Sequence, residues 1–557
     1  MRKVKCCLCR ILVFSIVVGV AGIAWGADLR SAPMSRTFEQ YVSGLNAAHT
    51  RSASAASRVR RGYGISPVDL SHLAETDYAM VKAASLPASF DLRMLGLVPS
   101  VKNQGSYGTC WTFAAMGALE SSYLKETGQK LDLSEVHLAW FTYKESPAFT
   151  LERDEPNPLQ NGGFDSEAVA TLARYIGAVE DRYLPYPYGQ AEDPNFSVAG
   201  RANDYPNRLH LQHAFFLEPH SWAGRALATE ETMKTLLTRY GAAAVYLCVG
   251  DDELGEKLID YYNPQNAAFY YDGPGEANHA VLLIGWDDGY SRENFREDRR
   301  PQSDGAWLIQ NSWGTDFGKG GCFWVSYESR SFGGGTVYLG EETGKYSRIY
   351  AHDDLGWCES VGELDESGWM ANVYRARSAE KLEAVAFYTT AANARYEIRV
   401  YTALGDTGDP TDGTLAATLT GTEPFAGYHT LKLSEAVALK SGSSFSIVVK
   451  MVTPNYPYPL ALEAQVFAYS ENASAAPGES FYSDDGQHWT DINGDGEEGN
   501  FCLKAFTNPD PDETDHVGSS SSGGCDLGTA GFLACLLTAA LRLALYRPIR
   551  ERELEKR

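Results

Sequence analysis

Basic charge is scarce in this chain. Its 557 residues carry 48 Lys and Arg against 72 Asp and Glu, a formal net charge of −24. Nucleic-acid binders present basic stripes, so no nucleic-acid partner is expected. A solvated acidic exterior suits a soluble exported protein. Paired metal-binding cysteines are also missing. Of ten cysteines, Cys6, Cys7 and Cys9 precede the first apolar run, and Cys525 and Cys535 lie near the end. Cys110, Cys248, Cys322, Cys358 and Cys502 remain for the body, where no C-x-x-C pair with a matching partner occurs. That argues against a zinc site. No metal site and no cofactor are assigned, and one reactive thiol beside four others leaves room for at most two disulfides.

What is present divides the chain into several units, as its length requires. Residues 1–26 read as a secretory signal: Arg2, Lys3, Lys5 and Arg10 lead into apolar Ile11–Ala24, and Ala24-Trp25-Gly26 offers a small-x-small cleavage site. The apolar run is short for a membrane span. Residues 27–85 are rich in Ala, Ser and Arg without strong periodicity, and read as a pro-segment or linker. Residues 86–340 mix helical and extended signals. Trp111–Leu124 is helical and ends at Thr127-Gly128; Ser134-Glu135 opens a second helix; Asp165–Ile176 forms a third, with Ser166 as its cap. Ala242–Val249, Ala280–Trp286 and Ala306–Gln310 read as strands, and Ser291–Asp304 as solvated surface. Residues 345–507 carry short alternating runs (Ala384–Thr390, Tyr396–Thr402, His429–Leu433, Phe445–Met451) between turn residues, the pattern of a β-sandwich. Residues 508–526 are a polar linker holding Gly523-Gly524-Cys525. Residues 527–546 are an apolar membrane segment, and the basic residues of 547–557 keep that end in the cytoplasm.

Chemistry concentrates at Gln104-Gly-Ser-Tyr-Gly-Thr-Cys110-Trp111. A glycine-rich turn delivers the Cys110 thiol to the first turn of a helix, where unpaired N–H groups and the helix dipole favour thiolate over thiol. Such a nucleophile needs a base, and the base needs orienting. His279 opens an apolar strand 169 residues after Cys110, and Asn311 ends another 32 residues later. In one sheet these strand ends bring imidazole and carboxamide together. One ring nitrogen of His279 then faces the sulfur and the other donates to Asn311. Trp313 is placed to roof that hydrogen bond. The Gln104 side-chain N–H beside the backbone N–H of Cys110 makes an oxyanion hole.

The segments QGSYGTCWTF, QNGGFDSEA, NHAVLLIGW and GAWLIQNSWG, spread over about 250 residues, resemble the papain family of cysteine peptidases. The resemblance implies an α+β fold: a two-lobed peptidase domain, helical lobe plus β-barrel-like lobe, followed here by an all-β sandwich. It implies Cys110 as nucleophile, His279 as base and acid, Asn311 as orienter and Gln104 as oxyanion donor, with a thiolate–imidazolium pair. Gly162 and Gly163 would offer a backbone edge to an extended polypeptide substrate, and Phe164 would border the pocket for the second residue before the scissile bond. Two departures stand out. Tyr107 and Gln160 occupy positions where the family usually has a disulfide pinning the nucleophile loop, so packing must hold that loop. Residues 27–85 also lack the interspersed helical pattern of long papain pro-regions.

Residues 345–507 resemble the lectin-like domain of some bacterial members (ANVYRA, KLEAVAFYTT, YEIRVYT, GYHTLKLSEAV, NFCLKAF), which raises a surface glycan as partner. Trp369, Tyr456, Tyr458 and Trp489 could stack on sugars, although core packing explains such residues more often. Asp491-Ile-Asn-Gly-Asp495-Gly begins like a calcium loop but has Cys502 at the twelfth position, where the bidentate Glu belongs; a polar turn is the plainer reading. Cys358 and Cys502 are candidates for a disulfide, Cys248 and Cys322 for separate buried thiols. The tail resembles bacterial Gly-Gly-Cys sorting signals. The expectation is an exported cysteine endopeptidase tethered at the membrane or cell surface. The rival is a non-catalytic surface binding protein or adhesin.

Overall fold

The structure, a computed structural model, describes residues 24–25, 29–50, 66–74, 76, 78, 85–151, 157–187, 196–217, 227–250, 255–494 and 499–510. The expected signal sequence (apart from Ala24-Trp25), the sorting motif, the apolar tail and the basic end lie outside these residues. Among the described residues no helix is long and apolar enough to cross a membrane. They contain five α-helices: α1 (Arg36–Thr50), α2 (Cys110–Thr127), α3 (Glu135–Lys144), α4 (Asp165–Ala173) and α5 (Leu227–Tyr240).

The helix α2 is the axis of the first domain. It ends where the sequence predicts: Gly128 takes φ +73° and its N–H closes on the Leu124 carbonyl at 2.8 Å, a left-handed C-cap. Strands Leu209–Leu217, Gly333–Glu342, Ala243–Leu247, His279–Asp287, Ala306–Gln310 and Cys322–Ser326 hydrogen-bond in that order. The helix packs on the second, third and fourth of them, while α3 and α4 cover its other side. Enclosed in this way, α2 buries Trp111, Phe113, Met116, Leu119 and Tyr123 around its circumference. Its small residues permit the approach; a Cβ on Gly117 would stand 3.3 Å from Leu282.

The Ser134 hydroxyl caps α3, accepting from the His137 N–H at 3.1 Å. The start of α4 corrects the sequence reading. Ser166 lies inside the first turn, and the N-cap residue is Phe164, whose N–H donates to Glu167 Oε2 at 3.2 Å. Phenylalanine has no cap oxygen, so this is one half of a capping box, supplied by the glutamate at the third helical position.

The second domain is a sandwich. One sheet runs Thr414–Glu423, Ala394–Thr402, Ser444–Val452, Ser367–Arg375, Ser480–Ser483 and Thr490–Asp491. The other contains Arg348–Ala351, Leu503–Pro509, Glu380–Thr389 and Gly427–Leu439. Met370, Val385, Phe387, Ile398, Phe445 and Ile447 fill the core between them. This second sheet does not end at the domain boundary: Gly427, Tyr428 and His429 pair with Phe215, Ala214 and His213 of the first domain. Three backbone pairs thus join the two sheets into one.

Core packing, the commoner expectation for the sandwich aromatics, holds for two of them. Trp369 and Tyr456 are only 6% and 8% exposed, so neither is free to stack on a sugar; Trp489 and Tyr458 are half-buried. Trp369 lies under Arg399 and Lys450, with cation–ring distances of 4.6 and 5.3 Å, and Tyr456 stacks on His72. Cys358 and Cys502 are both free, buried thiols. They flank strand Leu460–Ala464, Cys358 N–H donating to the Leu462 carbonyl and Cys502 N–H to the Ala461 carbonyl. A strand between them separates the pair by roughly two inter-strand spacings, about 9–10 Å, beyond the ~7 Å limit for a disulfide. Calorimetry with and without dithiothreitol should therefore give the same unfolding temperature; a drop of several degrees on reduction would contradict these free thiols. Asp491 and Asn493 accept from turn N–H groups of Gly478, Asn493 and Gly499, as a polar turn does; Asp495 lies outside the described residues.

Residues 29–78 also depart from the expected lack of helical pattern. In α1, Phe38, Tyr41, Val42 and Leu45 follow helical i, i+3, i+4, i+7 spacing, a period too short to stand out in an Ala- and Ser-rich stretch. Strand Leu29–Ser31 pairs with Glu359–Gly362 of the second domain. Phe38 and Tyr78 belong to the same contiguous apolar cluster as Cys110 and Trp111.

Candidate active site

Cys110 is the first residue of α2, and its sulfur accepts the Ala280 N–H at 3.4 Å. Ala280 follows His279 on its strand, so the backbone next to the imidazole meets the sulfur. His279 Nε2 lies 2.8 Å from Asn311 Oδ1, which also accepts the Ser312 N–H at 2.9 Å. With the amide oxygen taking both contacts, Nε2 carries the ring proton and Nδ1 is left as the basic nitrogen. The Trp313 ring stacks on His279 with centroids 4.7 Å apart. His279, Asn311 and Trp313 are thus in mutual contact, and the Cys110 sulfur meets the N–H of the residue after His279.

Gln104 is buried and held at both ends of its amide. Nε2 donates to the Tyr107 carbonyl at 2.8 Å, and Oε1 accepts from Ser312 Oγ at 2.6 Å. Its backbone N–H donates to the Ser312 carbonyl at 2.7 Å. Gly162 and Gly163 lie against the helix start: Gly108 would meet the Gln160 carbonyl at 3.0 Å if it had a Cβ, and a Cβ on Gly163 would stand 2.5 Å from the Trp111 ring. Only glycine permits that approach. Tyr143 donates to the Gly162 carbonyl at 3.0 Å, and Phe164 follows directly.

The nucleophile loop is held by packing. Tyr107 is buried and meets Tyr186 edge-on at 6.2 Å. The Tyr186 hydroxyl donates to the Gln104 carbonyl at 2.9 Å and lies 2.6 Å from Thr109 Oγ1. Ser312 and Tyr186 were not singled out from the sequence. Ser312 was legible as the neighbour of Asn311; Tyr186 had no local signal, being brought in from a distant loop.

Burial governs the ionisation of the pair. Cys110 is fully buried and His279 is 4% exposed. Desolvation pushes the thiol from 9.0 up to about 12, only partly offset by backbone N–H groups of Ala280, Trp111 and Cys110. Desolvation also holds His279 down to about 4 against the Asn311 hydrogen bond. A rise of that size in the thiol is worth roughly 4 kcal/mol, whereas a helix N-terminus supplies about 0.3–1 kcal/mol. Burial thus works against charge on either group, opposing the backbone N–H groups at the helix start.

Comparison with known proteins accounts for this constellation. Residues 86–336 match the papain family cysteine protease model, and residues 349–507 the lectin like domain model. The chain carries a papain-family cysteine protease domain. A viral cathepsin of Mamestra configurata nucleopolyhedrovirus is 32% identical over 235 residues, 42% of this chain and 56% of that protein. A cysteine protease of Blomia tropicalis is 28% identical over 255 residues, 45% of this chain and 64% of its own length. The chain thus spans less than two thirds of these papain-like relatives. The cysteine protease and lectin-like domains of Cwp84, a surface layer associated protein of Clostridium difficile, superpose with a TM-score of 0.70 at 24% identity, covering 87% of this chain and 99% of that one. The clostridial protease Cwp84 after propeptide cleavage gives 0.63 at 26%, over 76% and 99%. A papain-like domain followed by an all-β lectin-like domain is therefore the architecture.

Proposed function

We propose that this protein is an exported cysteine endopeptidase, made as a precursor and tethered at the membrane or cell surface, with Cys110, His279, Asn311 and Gln104 as its catalytic residues. The observation that carries the reading is the contact of His279 Nε2 with Asn311 Oδ1 at 2.8 Å beside the Cys110 sulfur. With Nε2 protonated, Nδ1 takes the thiol proton, and the thiolate attacks the peptide carbonyl. Negative charge on the carbonyl oxygen meets the Cys110 N–H and the second N–H of Gln104 Nε2. Collapse transfers the Nδ1 proton to the leaving amine and leaves an acyl-thioester on Cys110. Water, deprotonated by the same nitrogen, hydrolyses it and restores the thiol. Trp313 shields the His279–Asn311 bond from water. Gly162 and Gly163 offer backbone groups to an extended polypeptide, with Phe164 beside the second residue before the scissile bond.

Burial opposes ionisation of the Cys110 thiol, and on this reading the buried form is the resting precursor. Residues 27–85 are the segment whose loss opens it. Burial of Phe38 and Tyr78 against Tyr469 and Phe425 supports a docked segment, and the propeptide cleavage of the clostridial relative supports its removal. Surface tethering rests on the apolar tail and on that relative's surface-layer association; a glycan partner rests on the lectin-like match. The deciding experiment treats the full chain under reducing conditions with a peptidyl vinyl sulfone and a denatured protein substrate. Labelling at Cys110 together with cleavage is expected. If neither occurs once residues 27–85 have been clipped, the binding-protein reading takes its place.

A further inference from the structure

Besides the shared sheet, a loop of the second domain lies against the first. Between strands Leu460–Ala464 and Ser480–Ser483 the chain leaves the sandwich and lies along residues 148–151. Thr150 N–H donates to the Tyr469 carbonyl at 2.8 Å, Glu471 N–H to Thr150 Oγ1 at 3.3 Å, and Asn472 Nδ2 to the Ala148 carbonyl at 2.7 Å. Within the loop, Tyr469 and Ser470 N–H groups both close on the Val466 carbonyl, and Ser470 Oγ donates to Ala464. These bonds fix the loop at both ends and set an aromatic side chain against the first domain.

That side chain is Tyr469. Its ring stacks on Phe164 with centroids 5.5 Å apart and planes 16° from parallel. Phe149 packs on it at 5.1 Å, and its hydroxyl lies 3.3 Å from Ser166 Oγ. The remaining edge is covered by Phe38, at 6.3 Å and 79°, which is 1% exposed and belongs to α1. Phe164 follows the Gly162-Gly163 backbone that abuts Trp111, the neighbour of Cys110.

We propose that Tyr469, supplied by the lectin-like domain, is a specificity-determining residue of the peptidase site. With Phe164 it walls the pocket for the second substrate residue before the scissile bond, and Phe38 holds that pocket in the uncleaved chain as a stand-in for an aromatic or large aliphatic side chain. The inference rests on the peptidase reading above. An aromatic ring removed from such a site leaves apolar wall that only another large apolar group can cover well. The carboxylates near the ring already have donors: Glu167 takes Tyr143 and the Phe164 N–H, and Asp165 takes Thr336 and the Ser166 N–H. No unpaired charge therefore invites a cationic side chain, and an acidic one meets like charge.

The test compares peptidyl vinyl sulfones differing only at that second residue, bearing Phe, Leu, Ala, Asp or Arg, on the full chain after self-processing under reducing conditions. Phe and Leu probes should label Cys110 at least tenfold faster than Ala, with Asp and Arg slower still. In Tyr469→Ala the Phe-to-Ala rate ratio should fall about tenfold, and in Tyr469→Phe, which keeps the stacked ring, it should be retained. In unprocessed chain, Phe38→Ala should speed labelling by the Phe probe more than fivefold relative to the Ala probe; this arm does not depend on Tyr469→Ala folding. An unchanged ratio in both variants, or Arg preferred over Phe, overturns the inference while leaving the peptidase intact. Failure of every probe on processed wild-type chain instead removes the peptidase reading itself.

Discussion

Cys110→Ala should lower kcat/KM for a denatured protein substrate by about 10⁴-fold or more, and His279→Ala should come close to the same floor. The two side chains act as one unit: without the base the thiol stays protonated, and without the thiol the base has nothing to activate. The double variant should therefore be no worse than either single one, since removal of either member of such a unit forfeits most of its effect. Gln104→Ala tests a different element. Its amide is fixed by Tyr107 and Ser312 on either side, so deletion removes one pre-aimed donor and should lower kcat by about 10²–10³-fold with a smaller change in KM. Cys248, Cys322, Cys358 and Cys502 are equally buried thiols, but none is set beside a histidine held by an asparagine. Steady-state kinetics on processed protein decide the matter. Retention of activity within tenfold in Cys110→Ala would assign the nucleophile elsewhere.

Much of this site was legible before any coordinates, for a physical reason. The chemistry needs a thiol at a helix start and an imidazole and carboxamide at strand ends, and each position leaves a local trace: glycines before Cys110, apolar runs after His279 and before Asn311. Helix α2 and the strands of both domains were legible from the same periodicities. What escaped was decided by tertiary contact. The burial that opposes charge on Cys110 and His279 is encoded by no local pattern. Tyr186 and Tyr469 come from loops whose sequences show only aromatic residues among polar ones. The missing disulfide between Cys358 and Cys502 depends on an intervening strand, which proximity to the domain's chain ends could not reveal. The helix α1 is a different failure, since its apolar spacing was visible and too brief to weigh.

Lys504→Met should destabilise the protein by about 3–5 kcal/mol near neutral pH, the largest stability loss expected of a single polar truncation here. Lys504 is 1% exposed, and its ammonium donates to Asp353 Oδ2 at 2.6 Å and to the Asp353 carbonyl at 2.7 Å. Asp353 is fully buried, with Oδ1 lacking any hydrogen-bond partner. Burial raises the Asp353 carboxyl from 3.8 to about 6 even though Lys504 pulls it down. The pair is thus weak evidence for stability in itself, yet breaking it strands a buried charge, which is where the large penalty arises. The sign with pH follows. The folded value lies above the unfolded one, so the folded state holds the proton more tightly; stability from this group is full below 3.8 and is lost as pH rises through 6. Without Lys504 the carboxyl rises further, so the deficit of Lys504→Met should shrink by about 1.4 kcal/mol per pH unit as pH falls through that higher value. Asp353→Asn combined with Lys504→Met should recover most of the loss, because no charge is then left buried. Urea titrations of the wild type and both variants at pH 5 and pH 8 measure this, and a deficit independent of pH would show that packing of the lysine stem is what matters. Glu463, whose carboxyl burial keeps well above the usual range, accepts the Leu355 N–H beside this pair.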